Sequence, residues 1–320
     1  MTRDGRVRVA VVGGGAGCEH EVSLASATAI RGALAADSYD VVELTIDREG
    51  VWRDRELRPL GLTGAVQVLR SCDVALPAVH GPRGEDGTLA ALFELAGLPY
   101  VGSGIGAGAI AMDKWVTKLV AGAIGVATAP GVLLTAATAA SYSWTHPVVV
   151  KPVAAGSSRG VTLVGDAAGI GPALDAALAH DSRVLVEDVV DGREIDIAVL
   201  GLADGERRVS PPLEIVVDGI FDYADKYGGD ADFRIPAALG EVDAKELADV
   251  AVTVFDALGC AGVARIDFFL TDAGWVLNEV NTMPGFTEAS QAPKMFAAAG
   301  LPYPELLDLM IADALRTGPR

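Results

Sequence analysis

Over 278–286 the chain reads NEVNTMPGF. Glu279 and Asn281 stand two apart, so an extended chain puts both on one face, and a Thr-Met-Pro-Gly turn follows at once. Just upstream, in ARIDFFL (264–270), the same alternation places Arg265, Asp267 and Phe269 together. The TDAG turn between the two runs predicts a hairpin, across which Asp267, Glu279 and Asn281 meet. Asp, Glu and Asn offer hard oxygen ligands, which suit a Mg²⁺ ion that keeps waters and shares substrate phosphates. A solvated hairpin face is the plainer account. A Phe- and Val-rich hairpin has little reason to gather three polar groups, however, and metal binding is the better reading.

The cations are sparse and oddly placed. Six lysines stand against nineteen arginines, so Arg is the default surface cation. Lys114 in MDK and Lys151 in VVVKP are candidates to hold phosphate as compact point charges. A solvated lysine is a poor account of Lys151, which ends an apolar strand where a lone charge is costly. AGSSRG (155–160) joins two predicted strands; its glycines free backbone N–H groups, and Ser157 and Ser158 add two hydroxyls that can donate to an anion. Taken alone this loop is more often a plain turn. Two common phosphate loops are excluded. GGGAG (13–17) fails the G-x-G-x-x-G spacing because Cys18 and His20 occupy the needed third positions, and no lysine follows a glycine as Walker A requires.

The elements that must position these groups follow from periodicity. VRVAVV (7–12), SLASATAIRGALAA (23–36) and DVVELTID (40–47) read as a βαβ unit. DVALPAVH (73–80) adds a strand, GPRGEDGT a loop, and LAALFELAG a helix capped by Gly97, so residues 1–110 are expected to form a Rossmann-like parallel α/β domain. A helix over 112–125 leads into PVVVKPVAAGSSRGVTLV (147–164), strand, loop and strand. VLVEDVVDGREIDIAVLG (184–201) supplies two more strands, which makes 111–205 a mainly antiparallel α+β module. The remainder, 206–320, holds a polar loop (222–234), a helix over 241–259 and the hairpin. There is no internal repeat and no low-complexity linker.

Composition narrows the function. At 320 residues, 51% hydrophobic and 21% charged, the chain is globular and long enough for two or three modules. A formal charge of -18 repels a phosphate backbone, so nucleic acid is not an expected partner. Cys18, Cys72 and Cys260 are far apart and lack CxxC spacing, as expected of thiols in a reducing compartment. The charged start and early, short apolar run do not read as a signal peptide. No stretch offers about 18 uninterrupted apolar residues. A cytoplasmic protein without membrane attachment is expected.

Eight motifs together carry a family resemblance: EHEVSLAS (19–26), HGPRGEDGT (80–88), YVGSG…AMDK (100–114), VKPVAAGSS (150–158), VEDVVDGRE (186–194), DYADKY (222–227), ARIDFF (264–269) and NEVNTMPGFT (278–287). Their order and spacing resemble those of D-alanine–D-alanine ligases, members of the ATP-grasp superfamily, over nearly the whole chain. The resemblance implies a three-domain ATP-grasp fold with ATP pressed between the central and C-terminal domains. It implies Lys114 and Lys151 on the ATP phosphates, Ser157 and Ser158 beside them, and Glu187 and Glu194 on the adenine and ribose side. Asp267, Glu279 and Asn281 would hold two Mg²⁺, with Mn²⁺ as a substitute. ATP would phosphorylate a first D-alanine, and the amine of a second would attack the acyl phosphate. Glu19 would anchor the first ammonium and form a closing triad with Ser157 and Tyr227. His80 would lie near the first D-alanine, and Lys226 and Arg265 would supply positive charge at the transfer point. Arg265 and the Gly285 N–H would meet the oxyanion, while Ser290 and the Gln291 backbone would hold the second substrate. A homodimer is expected.

The pattern has departures. Gln291 and Ala292 stand where the family more often has a larger apolar residue and an aromatic; Ala154 and Ala155 replace a usual polar pair; Arg159 replaces a small apolar residue. Retention of Lys226 and Tyr227 favours a dipeptide-forming ligase over the D-lactate ester-forming type. Three readings follow: a D-alanine–D-alanine ligase for peptidoglycan precursor synthesis, a paralogous ligase joining another D-amino acid in natural-product synthesis or self-resistance, and a non-catalytic nucleotide-binding regulator. The complete set of metal, arginine and triad residues speaks against the last.

Overall fold

VRVAVVGG forms β1 (Val7–Gly14), and its alternation decides how the first module is buried. The structure, a computed structural model, describes residues 5–216 and 232–319. α1 (His20–Ala33) returns the chain to β2 (Tyr39–Ile46), parallel to β1 from Val7↔Tyr39 to Gly14↔Ile46. A two-residue antiparallel edge strand, β3 (Trp52–Arg53), not foreseen in the sequence, is added beside β2. α2 (Gly61–Leu69) and β4 (Val74–Pro77) complete the order β3-β2-β1-β4. α3 (Thr88–Ala96) ends, as its sequence suggests, on Gly97 at φ 68. Val9 and Val11 face one core while Ala10 and Val12 face another, so both sides of this parallel sheet need cover.

α4 (Ile105–Met112) and α5 (Lys114–Ala123) follow, broken at Asp113, whose carboxylate accepts from the Val116 N–H at 2.9 Å and caps α5. β5 (Ala127–Thr128), β6 (Gly131–Thr135), α6 (Ala136–Ala139), β7 (Val148–Pro152), β8 (Thr162–Val164), α7 (Ile170–Leu178) and β9 (Arg183–Asp188) come next. Of these, β6-β9-β7-β8 form an antiparallel sheet, backed by Ala173, Leu174 and Ala177 of α7.

β10 (Arg193–Gly201), β11 (Arg207–Val209), β12 (Leu213–Val216), β13 (Asp232–Arg234), α8 (Glu241–Ala257), β14 (Gly262–Thr271) and β15 (Gly274–Asn281) supply the third sheet, in the order β13-β12-β10-β14-β15-β5 with β11 beside β10. Here the structure corrects the sequence reading of 184–201 as two strands of one central module. β9 stays in the four-stranded sheet, whereas β10 pairs with β14 along its whole length. The reason is burial on both faces: Ile195, Ile197 and Val199 pack on Leu247, Ala251 and Phe255 of α8, and Ala198 and Leu200 pack on the other side. That other side is covered by α9 (Gln291–Ala298) and α10 (Tyr303–Thr317), through Met295, Phe296, Leu306 and Leu307. The same cluster includes Val9 and Val11 of β1, so α10 joins the first sheet to the third.

Candidate active site

The register of β14 on β15 sets Arg265 opposite Asn281 and Asp267 opposite Glu279, the facing pairs the alternation predicts. A register shift follows: Asp267 pairs with Glu279 but Phe268 with Leu277, so Asn278 is an extra residue on its strand. Arg265 donates from Nε and Nη2 to the two oxygens of Asp267, both at 2.8 Å, and Asn281 Nδ2 donates to Asp267 Oδ2 at 3.1 Å. Burial opposes the Arg265 charge, but Asp267 and Asp196 outweigh it and hold the guanidinium protonated. Asp267 is only 3% exposed and lies beneath this arginine. Glu279 instead faces Lys114, with Nζ 3.3 Å from Oε2, and Lys114 also donates to the Ala155 carbonyl at 3.0 Å.

One turn along α5, Lys118 falls on the same helix face as Lys114. Lys118 and Lys151 both pair with the Glu187 carboxylate, which is buried between them, and Lys118 also donates to the Ala129 carbonyl. Burial works to raise the Glu187 carboxyl, yet the two ammonium groups hold it below its ordinary range. Lys151 further donates to Asn278 Oδ1 at 3.4 Å. The charge that seemed costly at the end of an apolar strand is therefore paired.

On the other side of the site Ser157 donates to Glu19 Oε1 at 2.7 Å. Two glycines make room for that carboxylate: a Cβ on Gly81 or on Gly156 would stand 2.3 Å from Glu19 Oε2. Ser157 and Ser158 both have φ 52, a left-handed geometry unusual for serine that turns the loop sharply. His80 is buried, with Nδ1 donating to the Met283 carbonyl at 2.8 Å and Nε2 2.8 Å from Ser26 Oγ. Ser26 Oγ in turn accepts from the Phe286 N–H at 3.1 Å, so α1 and His80 together grip the turn that carries Gly285. Ser290 accepts from the Thr287 N–H at 3.0 Å at the start of α9, and a Cβ on Gly285 would stand 3.3 Å from its hydroxyl.

Two cavities result. One of about 520 Å³ is lined by Lys114, Lys151, Ser157, Ser158, Glu187, Glu194, Asn278 and Glu279, with apolar walls from Val149, Leu163, Val189 and Leu277. The other, about 560 Å³, is lined by Glu19, His80, Arg265, Asn281, Gly285, Ser290 and Gln291. They meet at Lys114, Ala155, Ser157 and Glu279, which line both. Asp267 is roofed by Arg265 rather than open to either. Lys226 and Tyr227 lie outside the described residues. Among the described residues no group of three or more His, Cys, Asp or Glu side chains is gathered as a metal cage. Asp267, Glu279 and Asn281 make a set of two carboxylates and a carboxamide, which fits a Mg²⁺ ion that takes its other ligands from phosphate and water.

Sequence reasoning assigned no role to Lys118, Asn278 or Asp196. Lys118 could have been found from its i, i+4 spacing to Lys114. The bulge that presents Asn278 left no signal in the alternation, and Asp196 reads as one polar residue in an apolar strand.

A four-stranded antiparallel sheet and a larger sheet closing on a lysine-lined cavity define an ATP-grasp enzyme. Residues 8–103 match the D-ala D-ala ligase N-terminus family, and residues 132–312 match the D-ala D-ala ligase C-terminus family. The D-alanine–D-alanine ligase of Mycobacterium tuberculosis (strain CDC 1551 / Oshkosh) is 39% identical, covering 99% of this chain and 97% of its own. Among solved structures, the VanG D-Ala:D-Ser ligase of Enterococcus faecalis superposes with a TM-score of 0.84 at 32% identity, over 97% of this chain and 99% of that one. The Bacillus anthracis D-alanine–D-alanine ligase complexed with ATP gives 0.80 at 27% identity, over 97% and 98%. The chain belongs to the D-alanine–D-alanine ligase family.

Proposed function

We propose that the protein joins two D-alanines at the expense of ATP, for peptidoglycan precursor synthesis. The observation that carries this reading is the meeting of two cavities at Lys114, Ser157 and Glu279, with phosphate-type cations on one side and amino-acid-type anchors on the other. ATP occupies the first cavity. Lys114 and Lys151 hold its phosphates, aided by Ser158 and the 155–160 backbone, and Glu194 meets the ribose. The Glu187 carboxylate is taken up by Lys118 and Lys151, so it aims Lys151 and leaves the neighbouring backbone for adenine. Glu279 and Asn281, which line the cavities, would hold magnesium together with Asp267 beneath them, and the ion would neutralise charge on the transferring phosphoryl group.

Glu19, braced by Ser157, anchors the ammonium of the first D-alanine in the second cavity. The carboxylate oxygen of that first D-alanine takes the γ-phosphoryl group; the bond from the γ-phosphorus to the β–γ bridging oxygen breaks and ADP leaves. The amine of the second D-alanine, positioned through Ser290 and the Gln291 backbone, loses a proton and attacks the acyl carbon. Arg265 and the Gly285 N–H meet the oxyanion, and collapse expels phosphate and leaves the amide. His80, with both ring nitrogens engaged, acts by holding the Gly285 turn. Lys226 and Tyr227 belong to this reading from the sequence alone.

A second reading, ligation of a different D-amino acid as acceptor, is favoured by the polar Gln291 in the acceptor wall and by the likeness to a D-Ala:D-Ser ligase. ADP release over a panel of D-amino acids, with products identified by mass, decides between them. D-alanyl-D-alanine as the dominant product supports the first reading; a mixed dipeptide supports the second; no ADP release with any acceptor rejects both. Cytoplasmic location and a homodimer complete the proposal and rest on the family resemblance. No single helix among the described residues is long and apolar enough to cross a membrane.

A further inference from the structure

Gln291 is the first residue of α9, half-buried in the wall of the acceptor cavity. Its carboxamide is engaged at both ends. Oε1 accepts from Arg265 Nη1 at 2.5 Å, and Nε2 donates to Asp196 Oδ2 at 3.0 Å. The orientation is set by chemistry, because a guanidinium only donates and a carboxylate only accepts. Asp196 is fully buried on β10, directly opposite Asp267 on β14, and its Oδ2 lies 3.4 Å from Arg265 Nε. The guanidinium therefore has a two-point contact with Asp267 on its Nε/Nη2 edge, a buried carboxylate beside it, and Gln291 on Nη1.

A two-point contact on one edge still lets the rigid guanidinium plane hinge about that edge as the long side chain adjusts, which carries Nη1 out of position. Gln291 removes that freedom, and Asp196 in turn prevents the Gln291 amide from turning away. An apolar residue at 291 leaves Nη1 and Asp196 without this bridge, a shorter amide cannot span both, and an acid there faces Asp196 with like charge. We propose that Gln291, anchored by Asp196, is a positioning residue that fixes Arg265 so that its remaining N–H groups face the oxyanion formed during acceptor attack. This rests on the ligase reading above; it adds Asp196 on β10, and it gives the Gln291 side chain on α9 a role separate from that of its backbone, which holds the second substrate.

The test uses the full chain and four variants: Gln291→Leu, Gln291→Glu, Asp196→Asn, and the double change Asp196→Asn/Gln291→Glu. The double change reverses the polarity of the bridge, with an amide now donating from 196 to a carboxylate at 291 that still accepts from Arg265. Initial rates of ADP and dipeptide formation give kcat and separate KM values for ATP and D-alanine, and melting curves monitor folding. Gln291→Leu and Gln291→Glu are expected to lose about tenfold or more in kcat with the KM for ATP unchanged, as for a displaced catalytic group. The double change should recover to within about threefold of the unmodified enzyme, since the two residues act as one unit. A purely structural role predicts losses that follow melting temperature and no recovery. Unchanged kcat in Gln291→Leu, or a double change no better than Gln291→Glu at matched melting temperature, overturns the proposal. Absence of dipeptide from the unmodified enzyme overturns the ligase reading instead, before any variant is compared.

Discussion

The hydroxyl of Ser157 donates to Glu19 across 2.7 Å, joining two loops 138 residues apart in the chain. The contact exists because Gly81 and Gly156 leave no Cβ where the carboxylate sits. Gly156→Ala places a methyl group 2.3 Å from Glu19 Oε2, closer than any real contact, and must push the anchor aside. Since a misplacement of about 1 Å costs about a hundredfold, kcat/KM for the first D-alanine should fall by about that factor, while the KM for ATP changes little. Equal losses for both substrates would point to general loosening of the loop.

The pairing of Glu187 with Lys118 and Lys151 should appear in stability. Burial alone would raise the Glu187 carboxyl, but the two lysines hold it below its ordinary value of 4.5. A carboxyl depressed on folding contributes fully above its unfolded value and loses that contribution as pH falls through its lower folded value. Glu187→Gln leaves two buried ammonium groups without their anion and should cost about 3 kcal/mol or more at neutral pH. The gap between variant and unmodified protein should narrow as the pH falls below about 4.5, which urea unfolding across that range measures. A gap constant down to the acid limb would show that the pair is not what stabilises this end of the cavity.

Glu279→Gln keeps nearly the same volume and removes one charge from the set facing Lys114. Turnover should drop by at least about a hundredfold and fail to recover with added Mg²⁺, with the melting temperature preserved. Near-normal ADP release at saturating Mg²⁺ would remove Glu279 from the mechanism.

Ser26 is fully buried between His80 and the Phe286 N–H. Ser26→Ala leaves that N–H and an imidazole nitrogen without their partner, at a cost of about 1–3 kcal/mol. Because Phe286 adjoins Gly285, kcat should fall along with the melting temperature. A destabilised variant with unchanged kcat would separate the grip on the turn from catalysis.

Much of this protein is legible in its sequence because period-two alternation reports which side chains share a face. The hairpin that brings Asp267 opposite Glu279 and Arg265 opposite Asn281 follows from counting residues, and so does the parallel β1-β2 pair. The scarcity of lysine picks out Lys114 and Lys151, both of which line the cavity assigned to ATP. Periodicity carries no information about which distant surface covers a face. Only tertiary packing sends β10 to the third sheet, because α8 and α10 must bury its two sides. Only the bulge, a mismatch between neighbouring strands, turns Asn278 toward Lys151. The bridge from Asp196 through Gln291 to Arg265 joins three separate segments, and its hydrogen bonds exist only once the core has brought those segments together.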